Sequence, residues 1–357
     1  MKLYLIGGFL GSGKTTAIYN ACLELIDEGI RVGVVTNDQG NQLVDTEFIR
    51  GANITALEVP GGCFCCNYNE LALRIQSLQQ TNRSEVIFAE SVGSCTDLVA
   101  TVVKPMLQFH PQIEVVLSVF VDACILHKLI QGSPLFVQSV NYIYKKQLDE
   151  ANVLVINKID LLNASQMEEV KSVVKKEYPG KKVVYQNSLE IDSIEKWLSS
   201  LNDFQPKVRK SLELDYDIYG AGEAELAWLD AEIYIHTIEL DAVRCGIALI
   251  NKIYSQINNL QLPIGHLKFL IDDGTHQKKI SFTSIKLSIL EDELIEFDSK
   301  KIKVLINARV QGGPDQLAKI VTDAIRELEL QTDCEVIKNK IAAFKPGYPK
   351  PTYRILN

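Results

Sequence analysis

No stretch of this chain is apolar for long enough to cross a bilayer as a helix. Runs such as Val115 to Val121 fall far short of the roughly 20 residues required. Basic residues are in deficit, 37 Lys and Arg against 45 Asp and Glu, for a formal net charge of −8. Without a broad basic field to collect phosphate backbones, nucleic acid is not an expected partner, and neither is a membrane. No internal repeat of solenoid type is present. Met1-Lys2 runs straight into Leu3-Tyr4-Leu5-Ile6-Gly7-Gly8 without the longer apolar region and cleavage site of a secretory signal, so the expected location is the cytoplasm. Histidine is scarce, with five scattered residues. Eight cysteines in 357 residues make no disulfide framework, and Cys63, Cys65 and Cys66 fall together, which points to a reducing compartment and thiolate chemistry.

What is present is an ordinary globular composition, 46% hydrophobic and 23% charged, in a chain long enough for two domains. Through residue 201, short apolar runs alternate with amphipathic segments of helical length. The expected strands are Lys2–Ile6, Val32–Thr36, Ile54–Val59, Val86–Glu90, Val115–Val121, Val153–Asn157 and Lys182–Gln186. Their apolar character is continuous rather than alternating, as in a mostly parallel sheet covered by helices, so residues 1–201 read as an α/β domain.

Residues 202–227 are polar and glycine-containing and read as a linker. Beyond it, Ala231–Leu240 reads as a strand and the run from Val243 to Ile257 as a helix capped by Asp241. Strands at Leu267–Ile271, Lys279–Phe282 and Lys303–Ala308 and a helix over Leu317–Leu328 follow. This order suits a smaller α+β domain of split βαβ, ferredoxin-like type over 228–331. Residues 332–357 read as a proline-rich, extended tail.

Gly8-Phe9-Leu10-Gly11-Ser12-Gly13-Lys14-Thr15 fits the pattern G-x-x-x-x-G-K-[ST], directly after a strand and before a helix. Glycines let such a loop wrap a phosphate, with successive N–H groups and the helix N-terminus facing the negative charge. Lys14 would reach the β- and γ-phosphates and the Thr15 hydroxyl would ligate Mg²⁺, with Thr16 next in the helix. Asn157-Lys158-Ile159-Asp160 follows another buried strand. Asp160 can accept both the N1–H and the 2-amino group of guanine, Asn157 can brace the loops, and the Lys158 stem can cover the base. Ser188, after the next strand, can close over the base edge or lie in a plain loop. Glu90, ending the strand Val86–Glu90, can hold Mg²⁺ through water, and the Gly93 N–H can sense a γ-phosphate. Asn37-Asp38-Gln39-Gly40 is a candidate switch loop.

Gly61-Gly62-Cys63-Phe64-Cys65-Cys66 offers three soft ligands to Zn²⁺ or Cu⁺. So short a span cannot supply four tetrahedral ligands, so an outside ligand or an open position is implied. Cys22, Cys95, Cys124, Cys245 and Cys334 stand apart, with burial as the default expectation.

Taken in order, the Gly8–Thr16 loop, Gly-Gly-Cys-Phe-Cys-Cys, Glu90-Ser91-Val92-Gly93, Val121-Asp122-Ala123 and Asn157–Asp160 resemble the CobW-type GTPases, relatives of the hydrogenase and urease nickel-insertion GTPases. The resemblance covers residues 1–201 motif by motif and the rest by layout alone. It implies a GTP-hydrolysing metallochaperone, with Lys14, Glu90 and Asp38 in catalysis, that carries a metal on Cys63, Cys65 and Cys66 to a client metalloprotein. Zinc is the commonest metal of that family and cobalt a minority one. The family often has Asn-Glu-Phe-Gly where this chain has Asn37-Asp38-Gln39-Gly40, and many members carry a histidine-rich tract that is missing here. His110 and His127 are candidates to complete a metal shell. A nucleotide-switched protein that remodels a corrinoid or other metalloenzyme without carrying metal is the alternative, and a small-molecule kinase would leave Asn157–Asp160 without a role. A homodimer is left open.

Overall fold

The computed structural model describes residues 1–37, 40, 44–204, 210–283 and 297–356. Contacts divide the chain into two units, one of Met1–Gln39, Ala52–Gly222 and Tyr348–Asn357, the other of Gly40–Gly51 and Glu223–Gly347.

The first unit is built on β1 (Lys2–Gly8), β2 (Val32–Asn37), β3 (Ala56–Val59), β4 (Val86–Glu90), β5 (Glu114–Asp122), β6 (Val153–Asn157) and β7 (Lys182–Gln186). Every adjacent pair is parallel, in the order β3-β2-β4-β1-β5-β6-β7. Strands β2, β4 and β6 are buried along their whole length, as continuous apolar runs require of a sheet covered on both faces. The cover comes from α1 (Lys14–Asp27), α3 (Tyr68–Thr81), α4 (Lys104–Phe109), α5 (Ala123–Ile130), α6 (Gln138–Glu150), α7 (Ala164–Glu177) and α8 (Ile191–Asn202); α9 (Tyr216–Ala224) completes the unit's helices. With β1 between β4 and β5, the loops at the carboxyl ends of these three strands converge, which is where open α/β sheets bind ligands. A π-helical turn, Val99–Val103, runs into α4. Lys104 N–H bonds to Val99 O there, and Pro105 has no N–H with which to close an α-helical bond to Thr101.

The second unit holds α2 (Val44–Gly51), β8 (Leu226–His236), α10 (Ala242–Asn259), β9 (Ile264–Asp272), β10 (Gln277–Phe282), β11 (Lys301–Gln311), α11 (Pro314–Gln331) and β12 (Glu335–Phe344). Its sheet is antiparallel throughout, in the order β10-β9-β11-β8-β12. Apart from β10, added at the edge as a hairpin with β9, this is the split βαβ arrangement. One face packs α10 and α11 in a core that includes Leu249, Ile253, Phe269, Val304, Val321 and Ile325. On α2, Val44 packs against Leu270 and Leu305, and the Asp45 carboxylate lies between the ammonium groups of Lys268 and Lys279.

Three expectations change. Strand β12 lies where the sequence suggests only a tail, because Glu335, Lys338 and Lys340 break its apolar pattern, and charged residues are what an edge strand carries. Helix α9 lies within the expected linker: Gly220 and Gly222 disguise it, yet a Cβ on Gly222 would stand 2.6 Å from Ser139 O, so glycine serves close packing. Asp241 occupies the cap position of α10 and its carbonyl accepts from Cys245 N–H, but its side chain makes no cap bond.

Candidate functional site

The loop between β1 and α1 turns on three glycines with positive φ, Gly8 at 121°, Gly11 at 71° and Gly13 at 90°. Neighbours as well as φ demand glycine: a Cβ on Gly8 would stand 2.1 Å from Phe120 O and one on Gly13 2.3 Å from Asn157 Nδ2. The Lys14 ammonium is buried against the loop, donating to Gly8 O at 2.8 Å and Phe9 O at 3.3 Å. Thr15 Oγ1 donates to Glu90 Oε1 at 3.0 Å, which joins the first turn of α1 to the end of β4. A buried hydroxyl beside a carboxylate is an oxygen donor set of the kind that Mg²⁺ prefers. The Ser12 hydroxyl is buried and, among the described residues, without a hydrogen-bond partner, as suits a group facing a phosphate. Thr16 is half-buried one residue further along α1.

Gly93 presses on this loop, and a Cβ there would stand 2.9 Å from Leu10 Cα. Helix α6 holds the Gly93 segment from behind, with Gln147 Nε2 donating to Gly93 O at 3.0 Å and to Cys95 O at 2.8 Å. Glu150, also on α6, accepts from Thr96 Oγ1 and Val99 N–H, both at 3.2 Å. Nothing in the sequence marks Gln147 or Glu150, since both sit on an amphipathic helix among other polar residues.

Asn157 bridges loops. Its Nδ2 donates to Ser12 O at 2.8 Å, while its Oδ1 accepts from the Ser188 hydroxyl at 2.8 Å and the Ser188 N–H at 3.1 Å. Ser188 is thereby brought onto the nucleotide loops, helped by Asn20 Nδ2 on its carbonyl at 2.7 Å. Lys158 takes a left-handed φ of 63° and directs its ammonium to Asp122 Oδ2 at 2.8 Å. The other Asp122 oxygen caps α5 through Cys124 N–H and Ile125 N–H. Asp160 stands exposed in the short 3-10 turn Ile159–Leu161. Asp38 lies outside the described residues.

The cysteines occupy a helical turn just before α3, closed by Cys66 N–H and Asn67 N–H on Cys63 O. Asn37, at the end of β2, clamps that turn: its Nδ2 donates to Val59 O and Gly62 O, and its Oδ1 accepts from Phe64 N–H at 2.8 Å. The Sγ atoms are 2.7 Å (Cys63–Cys65), 3.2 Å (Cys63–Cys66) and 3.7 Å (Cys65–Cys66) apart. Among the described residues they form the one cluster of three or more His, Cys, Asp or Glu ligand atoms. Bonds received from its neighbours hold the Cys63 thiol well below its ordinary range, whereas donation to Cys63 and burial hold Cys65 up. The cluster thus gives up a first proton readily and resists losing the next.

Neither candidate histidine joins this cluster; the His127 ring lies 3.1 Å from Glu169 instead. The isolation expected of the other cysteines fails at two places. Cys95 is buried in hydrogen-bond contact with Cys63 and Cys65, and Cys245 neighbours Cys334. Residues 348–356 also lie on the thiol turn, where Lys350 N–H reaches Cys66 Sγ at 3.3 Å, and Thr352 donates through N–H to Cys65 O and through Oγ1 to Cys66 O.

A family model described as the CobW/HypB/UreG nucleotide-binding domain matches residues 2–185. The chain is 26% identical over 193 residues to "Zinc chaperone CobW" of Sinorhizobium sp., covering 48% of this chain and 54% of that protein. It is 28% identical over 163 residues to "Zinc chaperone YeiR" of Escherichia coli K12, covering 44% and 46%. These matches span about half the length of the curated relatives. Among solved structures, HypB from Helicobacter pylori in complex with nickel is 18% identical with a TM-score of 0.42, covering 56% of this chain and 85% of that one. No helix of the described residues is long and apolar enough to cross a membrane. With its nucleotide-binding domain matched over residues 2–185, the chain belongs to the CobW/HypB/UreG family of P-loop GTPases.

Proposed function

We propose that this protein binds and hydrolyses GTP, and that the state of the nucleotide governs a transition metal, zinc first and cobalt second, held on Cys63, Cys65 and Cys66 for delivery to a client metalloprotein. One observation carries the reading: Asn37, on the last residue of the strand that leads into the candidate switch, is hydrogen-bonded to both sides of the cysteine turn. A shift of that strand end on nucleotide exchange would move the thiols. Relatives named as zinc chaperones, together with the "Zinc-regulated GTPase metalloprotein activator 1" of Dictyostelium discoideum, favour zinc as the cargo.

The assigned roles follow from position. Loop N–H groups and the Lys14 ammonium neutralise charge developing on the β- and γ-phosphates, which is where electrostatic stabilisation of phosphoryl transfer acts. Thr15 and Glu90 would hold Mg²⁺, which supplies further charge neutralisation at those phosphates. The Gly93 N–H reads the γ-phosphate, Asp160 reads guanine, and Ser188 and Asn157 brace the base end. Asp38 is assigned to the switch by its place in the chain.

Metal content and affinity of the reduced protein with GTP, with GDP and without nucleotide test the proposal. Near-stoichiometric zinc whose affinity depends on the nucleotide is the expected result. A protein that hydrolyses GTP but retains no metal in any state would favour the client-remodelling alternative.

A further inference from the structure

The cysteine turn supplies three thiols where a tetrahedral thiolate site takes four ligands. A fourth is already in contact. Cys95, thirty residues beyond Cys65 in the chain, is fully buried with its thiol in hydrogen-bond contact with both Cys63 and Cys65. We propose that Cys95 is the fourth thiolate of the metal site, completing a Cys₄ set with Cys63, Cys65 and Cys66. This rests on the metal-carrying reading given above.

Chemistry and placement agree. Thiols seldom gather by chance in a core, where one sulfur packs as well against carbon as against another sulfur. The Sγ separations among Cys63, Cys65 and Cys66, 2.7–3.7 Å, lie just inside the edge of about 3.8 Å that a tetrahedron with Zn–S near 2.3 Å requires. Metal would therefore spread these three thiols slightly and draw Cys95 in beside them. Among the described residues no histidine, carboxylate or further cysteine lies within 4.8 Å of all three clustered thiols, so of the groups at hand Cys95, in contact with Cys63 and Cys65, has only to close on Cys66.

The position of Cys95 gives the fourth ligand a consequence that a water or an external thiol would lack. It lies two residues beyond Gly93, and the same Gln147 amide holds both carbonyls, Gly93 O at 3.0 Å and Cys95 O at 2.8 Å. The Gly93–Cys95 segment therefore presents one end to the phosphate-binding loop and a sulfur to the metal. Three ligands come from the turn clamped by Asn37 and one from the segment that reads the nucleotide. A movement of either relative to the other opens the set.

X-ray absorption at the zinc edge tests this on the full-length reduced protein loaded with one equivalent of Zn²⁺. The native protein should show four sulfurs at about 2.3 Å. Cys95→Ala should show three sulfurs with one oxygen or nitrogen, and should bind zinc at least tenfold more weakly. Since the native protein alone gives the ligand count, a Cys95→Ala chain that fails to fold leaves the test standing. Three sulfurs in both proteins would overturn the assignment of Cys95 and leave the three-cysteine site intact. A native protein that takes up no zinc would overturn the metal-carrying reading itself, and this inference with it.

Discussion

The Lys158 ammonium lies 2.8 Å from the Asp122 carboxylate, joining the loop after β6 to the end of the neighbouring strand β5. Asp122 at the same time caps α5, so one buried carboxylate sets a helix start and the direction of a lysine stem. The exposed Asp160 stands two residues from that fixed stem. Asp160→Ala should cost roughly 1.5–3 kcal/mol of GTP affinity, because a charge-assisted pair of hydrogen bonds is lost. Asp160→Asn should shift preference toward xanthosine nucleotides. Titrations with GTP, ATP and XTP read both effects, and equal native affinity for ATP and GTP would refute the base assignment.

Lys14→Ala should abolish GTP turnover while leaving the fold. Its ammonium touches loop carbonyls rather than the core, and the lost interaction is with developing phosphate charge. Circular dichroism separates the outcomes: an unfolded variant would make Lys14 a structural residue.

Zinc affinity should differ between the GTP and GDP states by about 1–3 kcal/mol, and by reciprocity zinc should shift nucleotide affinity by the same factor. The physical route is Asn37 on one side and the Gly93–Cys95 segment on the other. Binding should release protons and weaken as pH falls, because the ligands are thiolates. Cys65→Ser or Cys66→Ser should lose metal and coupling but keep GTP. Identical zinc titrations in the two nucleotide states would remove the switch from the metal site.

Burial pushes the Glu150 carboxyl up to about 8, against the bonds from Val99 and Thr96 that favour its ionised form. Its native pKa lies above its unfolded value of 4.5, so between those values the native state holds a proton that the unfolded chain has released. Glu150 therefore makes stability fall as pH rises from about 4.5 to 8, by an amount on the order of a few kcal/mol. Glu150→Gln removes that slope. Urea unfolding at pH 5 and pH 8 should show the variant gaining relative to the native protein at the higher pH, and a difference independent of pH would show Glu150 to be unperturbed.

Arg354 Nε bonds to the buried Asp97 at 2.7 Å and stacks over the Tyr216 ring, anchoring the segment that covers Cys66. Arg354→Ala should loosen that segment and raise the rate at which Cys66 reacts with a disulfide reagent several-fold, without loss of helix content. An unchanged rate would mean that Thr352 and Lys350 hold the cover alone.

Much of the first unit was legible because its signals are local. A strand buried on both faces is a continuous apolar run, and a phosphate loop is written in closely spaced glycines followed by Lys14-Thr15. In the second unit the apolar periodicities of α10 and α11 survived because each helix buries one face. The failures came where several demands fall on one residue: Gly220 and Gly222 are poor helix formers placed for close packing, and β12 wears the charge of a solvated edge.

The sequence by itself determined the chemistry available, namely a phosphate loop, a tetrapeptide with a carboxylate for a base, and three clustered thiols, since each is a contiguous stretch whose spacing is its meaning. Only the tertiary structure decided which distant groups complete those stretches. Thr15 meets Glu90, Asn157 meets Ser12 and Ser188, and Cys95 meets Cys63 and Cys65, because parallel strands with helical crossovers bring loops far apart in the chain to one edge of the sheet. A single buried cysteine in a list of eight carries no mark of its neighbours until the sheet order is known.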